Sequence, residues 1–167
     1  MSHILELNSP LELDAIDLRL LQALQTDTSP SNQDLAAKVH VSPPTCLRRV
    51  KRLHDLGLIE RQVAILNADR LKQTLGAGLT AIVEVSLTEQ TEEVWAAFEA
   101  RVLPMPEVQQ CYRVSPGPDC ILIVQVQDMP AYLQLAQRVF TQDVSVRNVK
   151  AFFSMKRGKF STALAWL

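Results

Sequence analysis

The hydrophobic period of this chain changes once, near residue 79, and this change constrains the fold more than any other feature. In the first part, apolar residues such as Leu13, Ile16 and Leu20 recur three or four positions apart, the spacing of a helix with one buried face. From residue 79 to 87 apolar residues alternate with polar ones, as in a strand with one buried face. The sequence therefore predicts a helical N-terminal part and a mixed α+β C-terminal part.

The C-terminal part is predicted to alternate strands and helices. In chain order the predicted elements are strand 79–87, helix 91–102, strand 108–114, strand 120–127, a helix capped by Asp128, and strand 146–155. The order βαββαβ is the split βαβ, or ferredoxin-like, arrangement. The tail FSTALAWL, which follows the basic turn KRGK, has the composition of a fifth strand.

Strand 120–127 carries apolar residues on both of its faces. Leu122 and Val124 lie on one face, and Ile121 and Ile123 lie on the other. Two helices can cover only one face of a four-stranded sheet, so the second face needs another partner. We expect the chain to form a homodimer through this sheet.

The N-terminal part is predicted to hold three helices. Asp14 is placed as the N-cap of the first helix, with Asp17 three positions on. Asn32 is placed as the cap of the second helix, and Ser42 as the cap of the third. Two short helices joined by a three-residue turn match a helix-turn-helix. The predicted layout is an N-terminal extension at 1–12, a winged-helix-like helix-turn-helix domain at 13–62, a linker at 63–78 and a ferredoxin-like domain at 79–167.

The third helix lies in VSPPTCLRRVKRL, residues 41–53, which holds four cations and no carboxylate. Pro43 suits the first helical position, where its missing N–H costs nothing. At 100° per residue, one side collects residues that we expect to pack: Cys46, Leu47, Val50, Leu53 and His54. The other side forms what we call the cationic ridge: Thr45, Arg48, Arg49 and Arg52, with Lys51 at its flank.

The cationic ridge predicts contact with DNA. A helix is about 10–12 Å wide and the major groove about 12 Å, and arginine reads guanine with two hydrogen bonds. A solvated charged face is the alternative, but no carboxylate lies within the segment to pair with these cations. The formal net charge is −1, so one copy should bind weakly and a dimer more tightly. The predicted DNA-binding residues are Ser42, Pro43, Thr45, Arg48, Arg49, Lys51 and Arg52.

Enzyme signatures are absent from the sequence. It has no glycine-rich phosphate loop, no G-x-S-x-G elbow and no H-E-x-x-H, and its three histidines are not grouped with its three cysteines at metal-ligand spacing. We therefore expect no catalytic residues, no metal and no cofactor. The start of the chain lacks the pattern of an export signal, and no run is long enough to span a membrane, so the expected location is the cytoplasm.

Three segments together resemble the leucine-responsive regulator/asparagine regulator (Lrp/AsnC) family. They are L-D-x-x-D at 13–17, S-P-x-x-C-L-x-R at 42–49, and R-L-x-x-x-G-x-I at 52–59. The resemblance covers about residues 13–163, because the βαββαβ half is similar to that family's regulatory domain. It implies a transcriptional regulator whose dimers associate further, often into octamers, and which binds amino acids near the turn between the second and third strands.

That turn departs from the family pattern. The family usually has Gly-Asp-x-Asp-Tyr there, and this chain has VSPGPDC, in which Ser115 and Asp119 align and Gly117 is one position late. The resemblance implies an effector site at Ser115, Gly117 and Asp119, with the aspartate holding the ammonium of an amino acid. A plain hairpin turn is the other interpretation, since Pro116 and Pro118 each remove an N–H that could hold a carboxylate.

The hairpin also bears on a possible disulfide. If the turn at 115–119 is symmetric, Cys111 lies opposite Ile123, and a disulfide between Cys111 and Cys120 is disfavoured.

A different class of function also stays open at this point: a small-molecule-binding or enzyme subunit whose helical domain serves only protein contacts. A DNA-binding assay separates the two.

Overall fold

The computed structural model describes residues 12–167, which form two compact units. One unit holds the described residues up to Ala64 together with Lys159–Leu167, and the other holds Ile65–Gly158. The tail from Lys159 therefore lies with the helical unit. The predicted extension at 1–11 falls outside the described residues, and the domain limits at 62 and 78 stay predictions.

The helical unit contains three helices around a small core. They are α1 (Ala15–Leu24), α2 (Asn32–Lys38) and α3 (Pro43–Asp55). Leu20, Cys46 and Leu53 are fully buried between them. The buried set is completed by Ala23, Leu35, Ala36 and Val39. Helical spacing of apolar residues thus places one face of each helix in a shared core.

Of the three predicted caps, Asp14 caps its helix through its side chain, Ser42 holds only the cap position, and Asn32 is not the cap. The Asp14 side chain accepts hydrogen bonds from the backbone N–H groups of Ile16 and Asp17. The Asp17 side chain accepts from the Asp14 N–H, which completes a capping box. The prediction that Asn32 caps α2 was wrong, because Ser31 is the cap and accepts from the Asp34 N–H. Asn32 instead donates from Nδ2 to the Pro43 carbonyl at 2.9 Å, which ties α2 to the start of α3.

Helix α3 ends at a glycine that the chain geometry requires. Gly57 has φ +70°, and the N–H groups of Gly57 and Leu58 donate to the carbonyls of His54 and Leu53. These two bonds form a Schellman motif, in which glycine adopts the left-handed conformation without a Cβ penalty. The segment that follows, 58–66, forms no strand.

The second unit begins with a helix and continues as the predicted βαββαβ order. Its elements are α4 (Ala68–Leu75), β1 (Leu79–Leu87), α5 (Glu92–Val102), β2 (Val108–Arg113), β3 (Cys120–Val126), α6 (Met129–Ala136), a π-helical turn (Gln137–Thr141) and β4 (Val146–Phe153). The sheet is antiparallel, with strand order β2-β3-β1-β4. The predicted α+β fold class, with a ferredoxin-like second half, is confirmed.

One face of the sheet is buried under α5 and α6. Val83 on β1 and Leu122 on β3 are fully buried, and so is Phe98 on α5. The opposite face stays open: Ile82 is 40% exposed and Phe152 is 52% exposed. The alternation predicted for residues 79–87 is therefore correct, and the apolar second face of the sheet is present.

The tail does not form the predicted fifth strand. Residues 160–167 have no strand conformation, and they contact α1 instead. The Gln25 side chain accepts from the Leu164 N–H at 2.8 Å, and Gln22 Nε2 donates to the Leu167 carbonyl at 2.6 Å. Side-chain amides of α1 thus satisfy backbone groups that a sheet would otherwise pair.

The register of the β2–β3 hairpin also differs from the expectation. Cys111 lies opposite Leu122, not Ile123, because the turn closes one position earlier, with Arg113 opposite Cys120. The Val114 N–H donates to the Asp119 carbonyl at 3.2 Å, which sets this closure. The prediction rested on a symmetric five-residue turn at 115–119, and the turn is not built that way.

Candidate nucleic-acid interface and effector turn

The start of α3 presents few backbone donors of its own. Ser42 is the N-cap by position, but its Oγ lies 2.9 Å from the Thr45 Oγ1 and caps no backbone N–H. Pro43 and Pro44 occupy the first two helical positions and carry no N–H. The two exposed prolines therefore leave this end of the helix dependent on side chains for contacts with a ligand.

Two arginines of the cationic ridge are bound to α1. Arg49 Nη1 lies 2.7 Å from Asp14 Oδ2 and 2.9 Å from Asp17 Oδ1. Arg52 Nη1 lies 2.9 Å from the other Asp17 oxygen, and its Nη2 donates to the Glu12 carbonyl at 3.2 Å. Asp17 is buried, with 1% of its surface exposed, so both of its oxygens are satisfied by these two guanidinium groups.

The charges of this cluster stabilise one another. The pKa of Asp14 is held below its usual value, first by the hydrogen bond from the Asp17 N–H and then by Arg49. The pKa of Arg49 is raised by its hydrogen bonds to Asp14 and then to Asp17. Both groups stay ionised at neutral pH. The ion pairs fix the angle between α1 and α3, and so they orient the exposed side of α3.

The other two cations of α3 face solvent. Arg48 and Lys51 are exposed, and Arg48 lies beside Arg49 on the outer side of the helix. These two residues are free to move toward an acceptor, whereas Arg49 and Arg52 are already bonded. The cationic ridge thus contains two anchored arginines and one exposed arginine, with the exposed Lys51 at its flank.

The prediction that Leu47 and His54 pack on the buried side of α3 was wrong. Leu47 is 63% exposed, and His54 is exposed, so neither belongs to the core. Both lie at the edge of the apolar face, and the small core formed by three short helices is too narrow to cover that edge. Cys46 and Leu53, at the centre of the same face, are fully buried as predicted.

This arrangement suits a rod-shaped polyanion. A positive helix surface that is anchored from behind by a buried aspartate has the fixed orientation that a DNA-binding helix needs. Exposed lysine and arginine side chains are suited to contacts with phosphates or base edges. The anchoring acids were present in the sequence as L-D-x-x-D. Sequence reasoning interpreted them as a cap and as part of the family resemblance, not as partners of the arginines, because their spacing of three residues is also that of a capping box.

The turn that the resemblance assigns to an effector divides into an exposed tip and a buried base. Ser115, Pro116 and Gly117 are exposed, and Gly117 has φ +123°, a conformation that favours glycine. The Ser115–Pro116 peptide bond is cis. Asp119 is 6% exposed at the base of the turn. The three predicted effector residues therefore do not share one surface.

Asp119 is bonded within its own unit. Its Oδ2 accepts from the Leu87 N–H at 2.7 Å, and its Oδ1 accepts from Gln90 Nε2 at 2.5 Å. The Asp119 N–H donates to the Val85 carbonyl at 2.9 Å. These bonds join the hairpin to the end of β1. Sequence reasoning missed Leu87 and Gln90, because a contact across 29 or more residues leaves no local signal.

Residues 12–167 contain neither a candidate metal cluster nor a candidate membrane span. Within that range no three His, Cys, Asp or Glu side chains lie together so that they could hold a metal ion. Over the same residues, no helix has the length and apolar character needed to cross a membrane.

Two protein-family models together match most of the chain. A model of the AsnC-type helix-turn-helix domain matches residues 13–54, and a model of the Lrp/AsnC ligand binding domain matches residues 80–164. Among individual proteins, the chain is similar to the Bkd operon transcriptional regulator of Pseudomonas aeruginosa. The two are 37% identical over 145 residues, which is 87% of this chain and 92% of that one.

Solved structures give the same result for the fold. The chain is similar to an AsnC family transcriptional regulator from Agrobacterium tumefaciens, with 31% identity and a TM-score of 0.80 over 91% of this chain and 96% of that one. It is also similar to a transcriptional regulator from Neisseria meningitidis solved as a complex with L-Met. That pair has 29% identity and a TM-score of 0.80, over 92% and 96% of the two chains.

Proposed function

This chain belongs to the Lrp/AsnC family of regulators, and we propose that it binds DNA through the exposed cations of α3 and senses an amino acid near the turn at 115–119. The chain is a DNA-binding transcriptional regulator of the helix-turn-helix type. Its proposed function is to bind DNA and an amino acid, and we assign it no catalytic reaction. We place it in the cytoplasm, where a regulator meets the DNA of a bacterial cell.

One observation carries the assignment of the DNA-binding surface. Helix α3 is locked to α1 by the ion pairs of Arg49 and Arg52 with Asp17, while Arg48 and Lys51 remain exposed. A recognition helix needs a fixed orientation and free side chains at the same time. Arg48 is our candidate for a base contact, and Lys51 for a phosphate contact.

The remaining predicted contacts have supporting roles in this proposal. Ser42, Pro43 and Thr45 lie at the N-terminal end of α3, the end of a recognition helix that enters the groove. The Ser42 and Thr45 hydroxyls are bonded to each other and can turn toward an acceptor. Arg49 and Arg52 mainly orient the helix. An arginine of this pair that contacts DNA does so while it is also bonded to Asp17.

Dimerisation is proposed to occur through the open face of the sheet. Ile82 lies opposite both Ile123 and Phe152 in the register of β1 with its neighbours, which makes a continuous apolar row. Tyr112, 51% exposed, lies opposite Ile121 on the same face of the sheet and adds an apolar side chain beside that row. An apolar row of this length is the kind of surface that a second copy covers. A dimer should then recognise a partly palindromic site, with half-sites spaced by a multiple of the helical turn.

The sensing role is proposed for the 115–119 turn. The Neisseria relative was solved with L-Met, and the ligand binding domain of the family spans residues 80–164 here. Ser115 and Gly117 at the exposed tip could contact the ligand directly. Asp119 already accepts from Leu87 and Gln90, so an ammonium group would have to replace the Gln90 amide on Oδ1. Calorimetry against the twenty amino acids tests this, with Gln90→Ala as the variant that frees Oδ1.

The experiment for the DNA-binding proposal is a gel shift with DNA from upstream of the protein's own gene. Specific retardation by the wild-type chain, weakened in Arg48→Ala, supports the assignment. Loss of retardation in Asp17→Asn would follow from disorder of the α1–α3 angle, so that variant is paired with a folding measurement. Equal retardation of wild type and Arg48→Ala would contradict the proposed base contact.

A further inference from the structure

Two thiols of the β2–β3 hairpin lie next to each other. The Sγ atoms of Cys111 and Cys120 are 3.5 Å apart. Cys111 lies opposite Leu122, and Cys120 lies opposite Arg113, so the two cysteines are diagonal neighbours on adjacent antiparallel strands. Both face the helix-covered side of the sheet, where Cys120 is part of the core and Cys111 packs at its border.

The two thiols differ in their access to solvent. Cys120 is fully buried, whereas Cys111 is half-buried on β2, a strand at the edge of the sheet. Cys46, the third cysteine, is fully buried in the other unit. A small oxidant can therefore reach Cys111 from solvent, while Cys120 is held behind it as a second thiol within reach.

The surroundings of Cys111 favour its thiolate. The pKa of Cys111 is lowered, mainly because the Cys120 thiol can donate a hydrogen bond to it, and Arg113 contributes in the same direction against burial and Glu99. The pKa of Cys120 is raised, first by that hydrogen bond and then by burial. Arg113 is held in place by Glu99 and Glu92, at 2.8 and 3.1 Å, and lies over the Trp95 ring. The thiolate, not the thiol, is the reactive form of cysteine.

We propose that Cys111 and Cys120 form a reversible oxidation site, with Cys111 as the thiol that reacts with a peroxide and Cys120 as the thiol that resolves the product. The Cys111 sulfur attacks one oxygen of hydrogen peroxide, the O–O bond breaks, and a sulfenic acid and one water form. The Cys120 sulfur then attacks the Cys111 sulfur, the S–O bond breaks, and a disulfide and a second water form. The two sulfurs supply two electrons to the peroxide, and the two thiol protons leave in the water.

The disulfide would alter the hairpin at its base. The two sulfurs must approach by about 1.5 Å to reach bonding distance, and diagonal cross-strand neighbours lie farther apart than directly opposed ones. The backbone of one strand must therefore shift. Asp119 precedes Cys120 and binds the Leu87 N–H, so the shift reaches the bond that joins the hairpin to β1. Thiol–disulfide exchange with an added thiol reverses the step.

The test uses the full-length wild-type protein, treated with hydrogen peroxide and then unfolded for thiol counting and peptide mapping. Of the three cysteines, we expect one free thiol to remain, Cys46, with Cys111 and Cys120 joined within one chain and recovered by dithiothreitol. Hydrogen exchange at the Leu87 amide should be faster in the oxidised protein. Cys46→Ser is the matched control and should form the same disulfide.

Cys111→Ser is the decisive variant, because its half-buried position tolerates the change more readily than the core position of Cys120. It should retain two free thiols after the same treatment, since buried Cys120 has lost its partner. The proposal is overturned if Cys111 is carried to sulfinic acid while Cys120 stays free, if the disulfide joins two chains, or if all three thiols survive. None of these readouts involves DNA, so the proposal stands or falls separately from the assignment of the recognition helix.

Discussion

Arg49 on α3 and Asp17 on α1 form an ion pair of 2.9 Å, and only 1% of the Asp17 side chain is exposed. Arg52 binds the second oxygen of the same carboxylate, also at 2.9 Å. A buried carboxylate shared by two arginines holds α3 against the rest of its unit. It also divides the cations of α3 into those that stabilise the fold and those that can meet a ligand.

Replacing Arg49 is expected to destabilise the helical unit. Arg49→Ala leaves one Asp17 oxygen buried without its partner, which should cost about 1–3 kcal/mol of unfolding free energy. Arg48→Ala is the matched control, because Arg48 is exposed on the same helix, and its effect should stay within about 0.5 kcal/mol. Urea denaturation followed by circular dichroism measures both. Equal stability of the two variants would contradict the anchoring role.

The Asp14 pair gives a dependence on pH with a definite sign. The pKa of Asp14 is lowered in the folded state, so its contribution is present above the ordinary value of about 3.9 and is lost as the pH falls through the lower folded value. Asp14→Asn keeps a capping oxygen and removes the charge. The variant should be less stable than wild type at neutral pH, and the difference should shrink in acid. A difference that does not change between neutral and acidic pH would refute this.

Much of this architecture could be predicted from the sequence, and the failures are of two kinds. Alternation from Leu79 and helical spacing around Leu20 identify a strand and a helix that each bury one face. In each of these two elements the expected face is buried. One error concerns a contact made across the chain, the tail bound to α1 through Gln25, which leaves no signal in a stretch of sequence. Two others, the cap at Asn32 and the hairpin register at Cys111, concern local geometry that residue spacing does not fix to a single position.

The candidate site shows the same division. Sequence reasoning identified the cations of α3 but not the buried Asp17 that binds two of them, because the partner lies 32 residues away from Arg49. It identified Asp119 but not Leu87, whose N–H binds it from the end of β1. Residue types could be inferred from spacing, whereas the assignment of anchored and mobile roles required the fold.

The open face of the sheet predicts an obligate dimer. Ile82→Glu places a charge in the apolar row beside Ile123 and Phe152, and it should shift the protein toward monomer by light scattering at micromolar concentration. Leu133→Glu is a matched control, since Leu133 is 60% exposed on α6, a helix that covers the other face. A dimer that survives Ile82→Glu but dissociates with Leu133→Glu would place the interface elsewhere.

Asp119 is expected to support the hairpin whether or not an effector binds. Asp119→Ala removes the acceptor of the Leu87 N–H, a buried bond of 2.7 Å, and should lower the unfolding free energy by about 1–3 kcal/mol. Gln90→Ala removes only the donor at the other oxygen and should cost less. Thermal unfolding of the two variants compares them. If Gln90→Ala proves the more damaging change, the bond to Leu87 is not what secures the turn.

The measurement that tests the central claim most directly is a fluorescence anisotropy titration of DNA from upstream of the protein's own gene, over a series of salt concentrations. Arg48→Ala should weaken specific binding by about 1–3 kcal/mol, and Lys51→Ala should weaken binding to all sequences alike and reduce the salt slope by about 1. Both variants should unfold at the wild-type urea midpoint. Wild-type affinity and an unchanged salt slope in both variants would show that α3 is not the surface that meets DNA.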